Sequence, residues 1–125
     1  PKADFVISGG TDIFRADPEY DLGITGCMKI AHIAEGLGLD VEIHACGPAH
    51  RHCMSAIRNT NYYEIALVGP GMPNALPAIY ADGYSDQLDA IDEHGNVPVP
   101  TGPGLGVVYD WDKIRANTRN VDVFR

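Results

Sequence analysis

The chain of 125 residues can bury one modest core, and it is too short for a closed eight-stranded β/α barrel, which needs roughly 250 residues. A net charge of −8, from 9 Lys plus Arg against 17 Asp plus Glu, argues against nucleic acid as a partner. No apolar run is long enough to span a bilayer, no signal peptide opens the chain, and three cysteines read as reduced thiols of a cytoplasmic protein.

In chain order, Lys2 to Ser8 reads as the end of a helix broken by Gly9 and Gly10, and Asp12 to Ala16 as a short strand. Asp17 ends that strand, and Pro18 keeps it extended. Ile24, Cys27, Met28, Ala31, Ala34 and Leu37 recur at three and four, which predicts a helix closed by Gly36 and Gly38. Val41 to Ile43 is the next strand, with His44 at its tip. Pro48 then suits the first position of a helix running to about Asn59. Tyr62 to Val68 is the last apolar run, with Glu64 inside it, and Gly69-Pro70-Gly71 ends it. Residues 70 to 106 are rich in Gly and Pro, with strand-like pieces at Ala78 to Ala81 and Asn96 to Val99. A short helix follows from Asp110 or Trp111 to about Asn117, with Asp110 as its cap. Val121 to Phe124 closes the chain.

Asp17, His44 and Glu64 are thus separated by about one βα unit each, and each falls in or at the end of an extended segment. That pattern predicts an α/β fold, the C-terminal part of a TIM-type (β/α) barrel that is incomplete in this chain. Residues 1–69 would hold the later βα units and residues 70–125 an extension beyond the barrel. The short length and the absence of an initiator Met lead to the expectation of a longer protein. Earlier segments or other copies of the chain would then cover its open sheet edge and apolar helix faces.

An imidazole titrates near neutral pH, so His44 can take and return a proton if a carboxylate fixes its tautomer. Asp17, on the neighbouring tip, would do so and favour the charged ring. Glu64, if its surroundings keep it protonated, would bind an oxygen that gains charge. Singly, each has a plainer explanation: Asp before Pro as a turn residue, His as a core residue, Glu as the partner of a nearby Arg. Their joint placement favours chemistry, because charge at a strand end is costly unless paired or used.

Cys46, His50, His52 and Cys53 offer zinc-ligand chemistry as a structural alternative, although the paired Cys spacing of structural zinc sites is absent. A hydrolase built on Cys53 is a third possibility, weakened because Cys53 fits a buried helix face. His32 and His94 read as surface residues. The run from Gly102 to Gly106 lacks the strand before and the helix after it that a nucleotide loop requires.

The segment DPEYDLGITGCMKIAHIAEGLGLDVEIH together with PTGPGLGVVYDWD resembles the C-terminal half of the enolase superfamily, in its mandelate racemase-like group. The resemblance implies an Asp and His dyad at Asp17 and His44 and a Glu at Glu64 on successive late strands, with the tail returning toward a capping domain. It implies a Mg²⁺-dependent enzyme that removes the proton next to a carboxylate and stabilises the enediolate. Dehydration of an acid sugar, aldonic or aldaric, is the expected reaction, with racemisation or epimerisation as the alternative. In such an enzyme His50, Arg51 and His52 would reach a polyhydroxy substrate. The metal ligands would lie on earlier strands, so none is expected in this chain, which alone should be inactive.

Overall fold

The computed structural model describes residues 2–65 and 79–124. Helix α1 (Lys2–Ile7) ends at Gly9, whose φ of 77° few residues with a side chain adopt. Strand β1 (Ile13–Ala16) follows, then helix α2 (Gly23–Gly36), strand β2 (Asp40–Ile43) and helix α3 (Pro48–Ala56). The two strands are parallel, in the register Ile13 to Asp40 through Ala16 to Ile43, and α2 supplies the crossover that parallel pairing requires.

Alternation sorts each strand into two faces. Phe14, Ala16, Val41 and Ile43 are buried against the helices, whereas Ile13, Arg15 and Asp40 are exposed and Glu42 is intermediate. The core is completed by Val6, by Cys27, Ala31 and Ala34 from α2, and by Cys53 and Ile57. Small side chains on the buried stripe of α2 let it lie close on the sheet. The helix closes in a Schellman motif: Leu39 N–H donates to Ala34 O at 2.9 Å and Gly38 N–H to Glu35 O at 3.0 Å, with Gly38 at φ 71°.

Helix α3 starts at Pro48, as the sequence predicts, but stops at Ala56 and not near Asn59. Ile57 turns extended, with φ −91° and ψ 131°, so that its side chain enters the core. Asn59 then bonds the edge of β2, accepting from Val41 N–H at 2.8 Å and donating Nδ2–H to Leu39 O at 2.7 Å. A third strand does not follow within the described residues. After Asn59 the Glu42 carboxylate intercepts the next groups, accepting from Asn61 Nδ2 at 3.0 Å and from Tyr62 N–H at 3.3 Å, in place of a backbone ladder. Glu64 therefore lies on irregular chain beside β2, not on a strand; Ala66 to Val68 lie outside the described residues.

Beyond residue 78 the chain forms a strap. Ile79 to Ala81 pairs antiparallel with Val108 to Asp110 through Ala81 N–H to Val108 O and Asp110 N–H to Ile79 O, both 2.8 Å. Ala78 lies outside the described residues. The strand expected at Asn96 to Val99 is absent, since Asp92 draws Asn96 into a turn by accepting both His94 N–H and Asn96 N–H. Helix α4 (Trp111–Asn117) begins with Asp110 accepting from Lys113 N–H at 3.0 Å, the cap the sequence predicts. No helix among the described residues is long and apolar enough to cross a membrane.

Candidate active site

The β1–β2 register carries on beyond the last paired residues. His44 N–H donates to Ala16 O at 2.7 Å, so Asp17 and His44 occupy the next rung, at the C-terminal ends of the two strands. Both continue the strand parity of Arg15 and Glu42. His44 Nδ1 stands 2.7 Å from Asp17 Oδ2.

The loop after β1 shapes the Asp17 carboxylate. Its Oδ1 accepts Glu19 N–H at 2.7 Å, a turn that Pro18 favours, and its backbone N–H donates to Asp21, which is itself ion-paired with Lys2 at 2.6 Å. Asp17 is almost wholly buried. Burial alone would raise its pKa, but the bonds from His44 and Glu19 N–H and the nearby imidazoles outweigh it and hold the carboxyl below its usual range. An ionised Asp17 accepts, so His44 Nδ1 carries the proton and Nε2 is left for a substrate. The His44 side chain is half-exposed.

Glu64 joins the same neighbourhood. Its Oε2 accepts Ala45 N–H at 2.6 Å and lies 2.5 Å from Arg15 Nη2. Ala45 is left-handed at φ 65°, a conformation that costs a residue with a Cβ about 1 kcal/mol and aims this N–H at the carboxylate. Burial would raise the Glu64 pKa, yet the Ala45 N–H and the Arg15 charge lower it overall. The surroundings of Glu64 thus favour the carboxylate and not the protonated form that a hydrogen-bond donor would need, and the plainer explanation of a Glu paired with an Arg describes its contacts. Arg15 is the residue that sequence reasoning missed, although its strand parity with Asp17 carried the signal.

Of the three residues expected to reach substrate, two are engaged elsewhere. Arg51 is buried, and its guanidinium holds the strap: to Asp86 at 2.7 Å, to Ser85 O at 2.5 Å, to Pro98 O at 2.8 Å, and to Tyr63 Oη at 3.3 Å. It also stacks on Tyr84, 4.5 Å from the ring centre. Asp86 accepts in addition from Tyr63 and Tyr84 hydroxyls at 2.5 and 2.9 Å. Burial pushes the Tyr63 phenol up to about 12, so it stays a donor. His52 Nε2 lies 3.1 Å from Leu105 O, again on the strap. Arg51 and His52 thus fasten the strap to α3. His50 alone turns toward the dyad, its Nε2 3.6 Å from Asp17 Oδ1.

The cysteine alternatives lose their geometry as well. Cys27 and Cys53 are buried side by side between α2 and α3 and share a hydrogen bond. Burial and the neighbouring sulfur push the Cys27 thiol up to about 12, and burial raises Cys53, so neither is a ready thiolate for hydrolysis or for zinc. Among the described residues no group of three or more His, Cys, Asp or Glu side chains is placed to hold a metal ion. A cavity of about 710 Å³ opens between the strap and the loops after both strands, lined by Pro18, Glu19, Cys46, His50, Tyr80 and Tyr84 among others.

The chain is also similar to known proteins over most of its length. Residues 2–113 match the family model described as enolase C-terminal domain-like. The chain is 27% identical over 126 aligned positions to D-gluconate dehydratase of Thermoproteus tenax, covering 95% of this chain and 24% of that protein. It superposes with a TM-score of 0.76 and 30% identity on D-glucarate dehydratase from Agrobacterium tumefaciens, solved in complex with magnesium, covering 93% of this chain and 29% of the other. The chain therefore spans about a quarter of the relatives it matches. The run β1–α2–β2–α3 is the C-terminal part of a β/α barrel, as its sequence predicts.

Proposed function

The chain belongs to the enolase C-terminal domain-like family, and on that premise we propose that the complete protein is an acid-sugar dehydratase in which these residues supply the proton-transfer side of the site. The single observation that carries this reading is the 2.7 Å contact between His44 Nδ1 and Asp17 Oδ2 at adjacent strand tips. Both similar proteins are named for dehydration of a sugar acid.

In this proposal His44 Nε2 takes the proton from the carbon next to the substrate carboxylate. The ionised Asp17 fixes the ring and offsets the charge that His44 gains, which is how a carboxylate beside an imidazole aids general base catalysis. The same ring then returns a proton to the departing β-hydroxyl, so water leaves and the remaining enol becomes a keto acid. Arg15, bound to the anionic Glu64, puts a guanidinium on the same face, with a fork suited to a carboxylate.

Magnesium enters only as a property of the complete protein. It prefers several oxygen ligands in octahedral geometry, and the described residues do not assemble such a set. Earlier segments or other copies of the chain are proposed to supply those ligands and to cover the exposed sheet face.

The test is turnover of a panel of aldonic and aldaric acids by the full-length protein and its His44→Asn variant. Asn reproduces the Nδ1 donor toward Asp17 and removes the titrating nitrogen. Dehydration lost in the variant supports the proposal. α-Proton exchange with solvent deuterium and no dehydration would instead identify a racemase or epimerase, and neither reaction in the native protein would refute the assignment.

A further inference from the structure

His50 is the one candidate substrate residue whose environment remains unexplained. It sits in the first turn of α3, directly after Gly47, and its side chain is only 4% exposed. Neither ring nitrogen has a hydrogen-bond partner among the described residues. Buried polar groups are almost always partnered, so a ring in this state calls for a reason. Its seat is built for it: a Cβ on Gly47 would lie 2.9 Å from His50 Nδ1, so only glycine leaves the ring its place.

The ring faces the dyad. Asp17 Oδ2 is taken by His44 at 2.7 Å, while Oδ1 accepts Glu19 N–H and has a second lone pair, with His50 Nε2 only 3.6 Å away. We propose that His50 is a positioning residue whose Nε2–H closes onto Asp17 Oδ1 in the working enzyme, so that the carboxylate is held from both sides while His44 exchanges a proton with substrate. This rests on the assignment of His44 and Asp17 as the proton-transfer pair. The charged groups around His50 are Asp17 and Glu19 from the loop after β1 and Asp86 from the strap, with His44 beyond Asp17.

Sharing the Asp17 charge with a second donor weakens its hold on the His44 proton, so removing that donor should favour the charged His44 ring. In full-length protein, His50→Phe should lower kcat by roughly 10- to 100-fold with little change in KM, the usual cost of a misplaced catalytic group. It should also move the acid limb of the kcat/KM profile up by about half a pH unit. His50→Gln, whose amide nitrogen can take the place of Nε2, should restore most of the activity and the original limb. A limb that stays in place in a folded His50→Phe variant, or a Gln variant as impaired as the Phe one, overturns the proposal. The midpoint at which the His44 ring signals titrate by NMR, compared between native protein and His50→Phe, should shift the same way. That readout needs no substrate, so it tests His50 even if the native protein dehydrates nothing on the panel, a result that would refute only the functional assignment.

Discussion

Asp17 and His44 stand one rung past the last paired residues of β1 and β2, so backbone register alone brings a carboxylate and an imidazole to 2.7 Å. In the proposed mechanism the two act as one unit. Replacing His44 with Asn should cut dehydration by about 10² to 10⁴, the common worth of general acid/base catalysis. Asp17→Asn should slow it too, and the double variant should be little worse than His44→Asn, as steady-state kinetics on full-length protein would show. Multiplying penalties would mean that the two residues work independently.

Glu64→Gln separates an anion from an acid. The amide carbonyl still accepts Ala45 N–H, but Arg15 loses its charge partner. With Glu64 acting as an anion, kcat/KM should fall about tenfold, an effect of the size expected from losing one charge-assisted contact. Folding stability should change by less than ~1 kcal/mol, because the ion pair is about half-exposed. Activity close to native would restore the case for a neutral Glu64 acting as a hydrogen-bond donor.

Arg51→Lys should loosen the strap. A lysine cannot bond Ser85, Asp86 and Pro98 together from one planar group, so some of these half-buried acceptors lose their donor. The expected loss is about 3 kcal/mol, typical of breaking a buried charge network. Limited proteolysis should then cut the segment between Tyr84 and Pro98 sooner than in the native protein, while Arg115→Lys on the exposed face of α4 should not change the pattern.

Acid should destabilise the fold in two stages. Burial lowers the His50 pKa from 6.5, so the unfolded chain binds that proton more readily and stability falls as pH drops below about 6.5. Asp17 and Glu64 are lowered from 3.8 and 4.5, so what they contribute is present above those values and is lost as pH falls through their folded ones. Denaturant titrations across pH would reveal both stages, and His50→Gln should flatten the first while leaving the second.

Cys27 and Cys53 should resist a thiol reagent such as a disulfide-exchanging dye until the protein unfolds. Both are buried, and the Cys27 thiol is pushed up to about 12, so the reactive thiolate is scarce. Rapid labelling of either in native protein, followed by mass spectrometry of peptides, would contradict the packing of α2 on α3.

The β1–α2–β2–α3 run was legible because its signals are local: alternation in Phe14 and Ala16, the three-and-four stripe of Cys27, Ala31 and Ala34, Gly38 and Pro48 at helix ends. Asp17 and His44 were legible for the same reason, each being the residue after a strand. Other contacts have a different origin. The strap partners of Arg51 and His52 are not legible in the sequence, because what covers a helical residue depends on distant, aperiodic chain, here Ser85 to Leu105. The charge on Glu64 depends on Arg15, 49 residues earlier, and on the left-handed turn at Ala45. Neither dependence leaves a periodic trace.

Helix α3 carries His50 in its first turn and Arg51 directly after it, the first facing Asp17 and the second holding the strap. Sequence change in the strap is therefore not a free route to new substrates. A loop redesigned between Tyr84 and Pro98 must still satisfy Arg51, the immediate chain neighbour of His50, or leave a buried guanidinium without its partners. Variation in that loop should be accepted at side chains that Arg51 ignores, such as Gln87 and Glu93, and purged at Asp86, so a mutational scan would trace the link from the strap to the dyad.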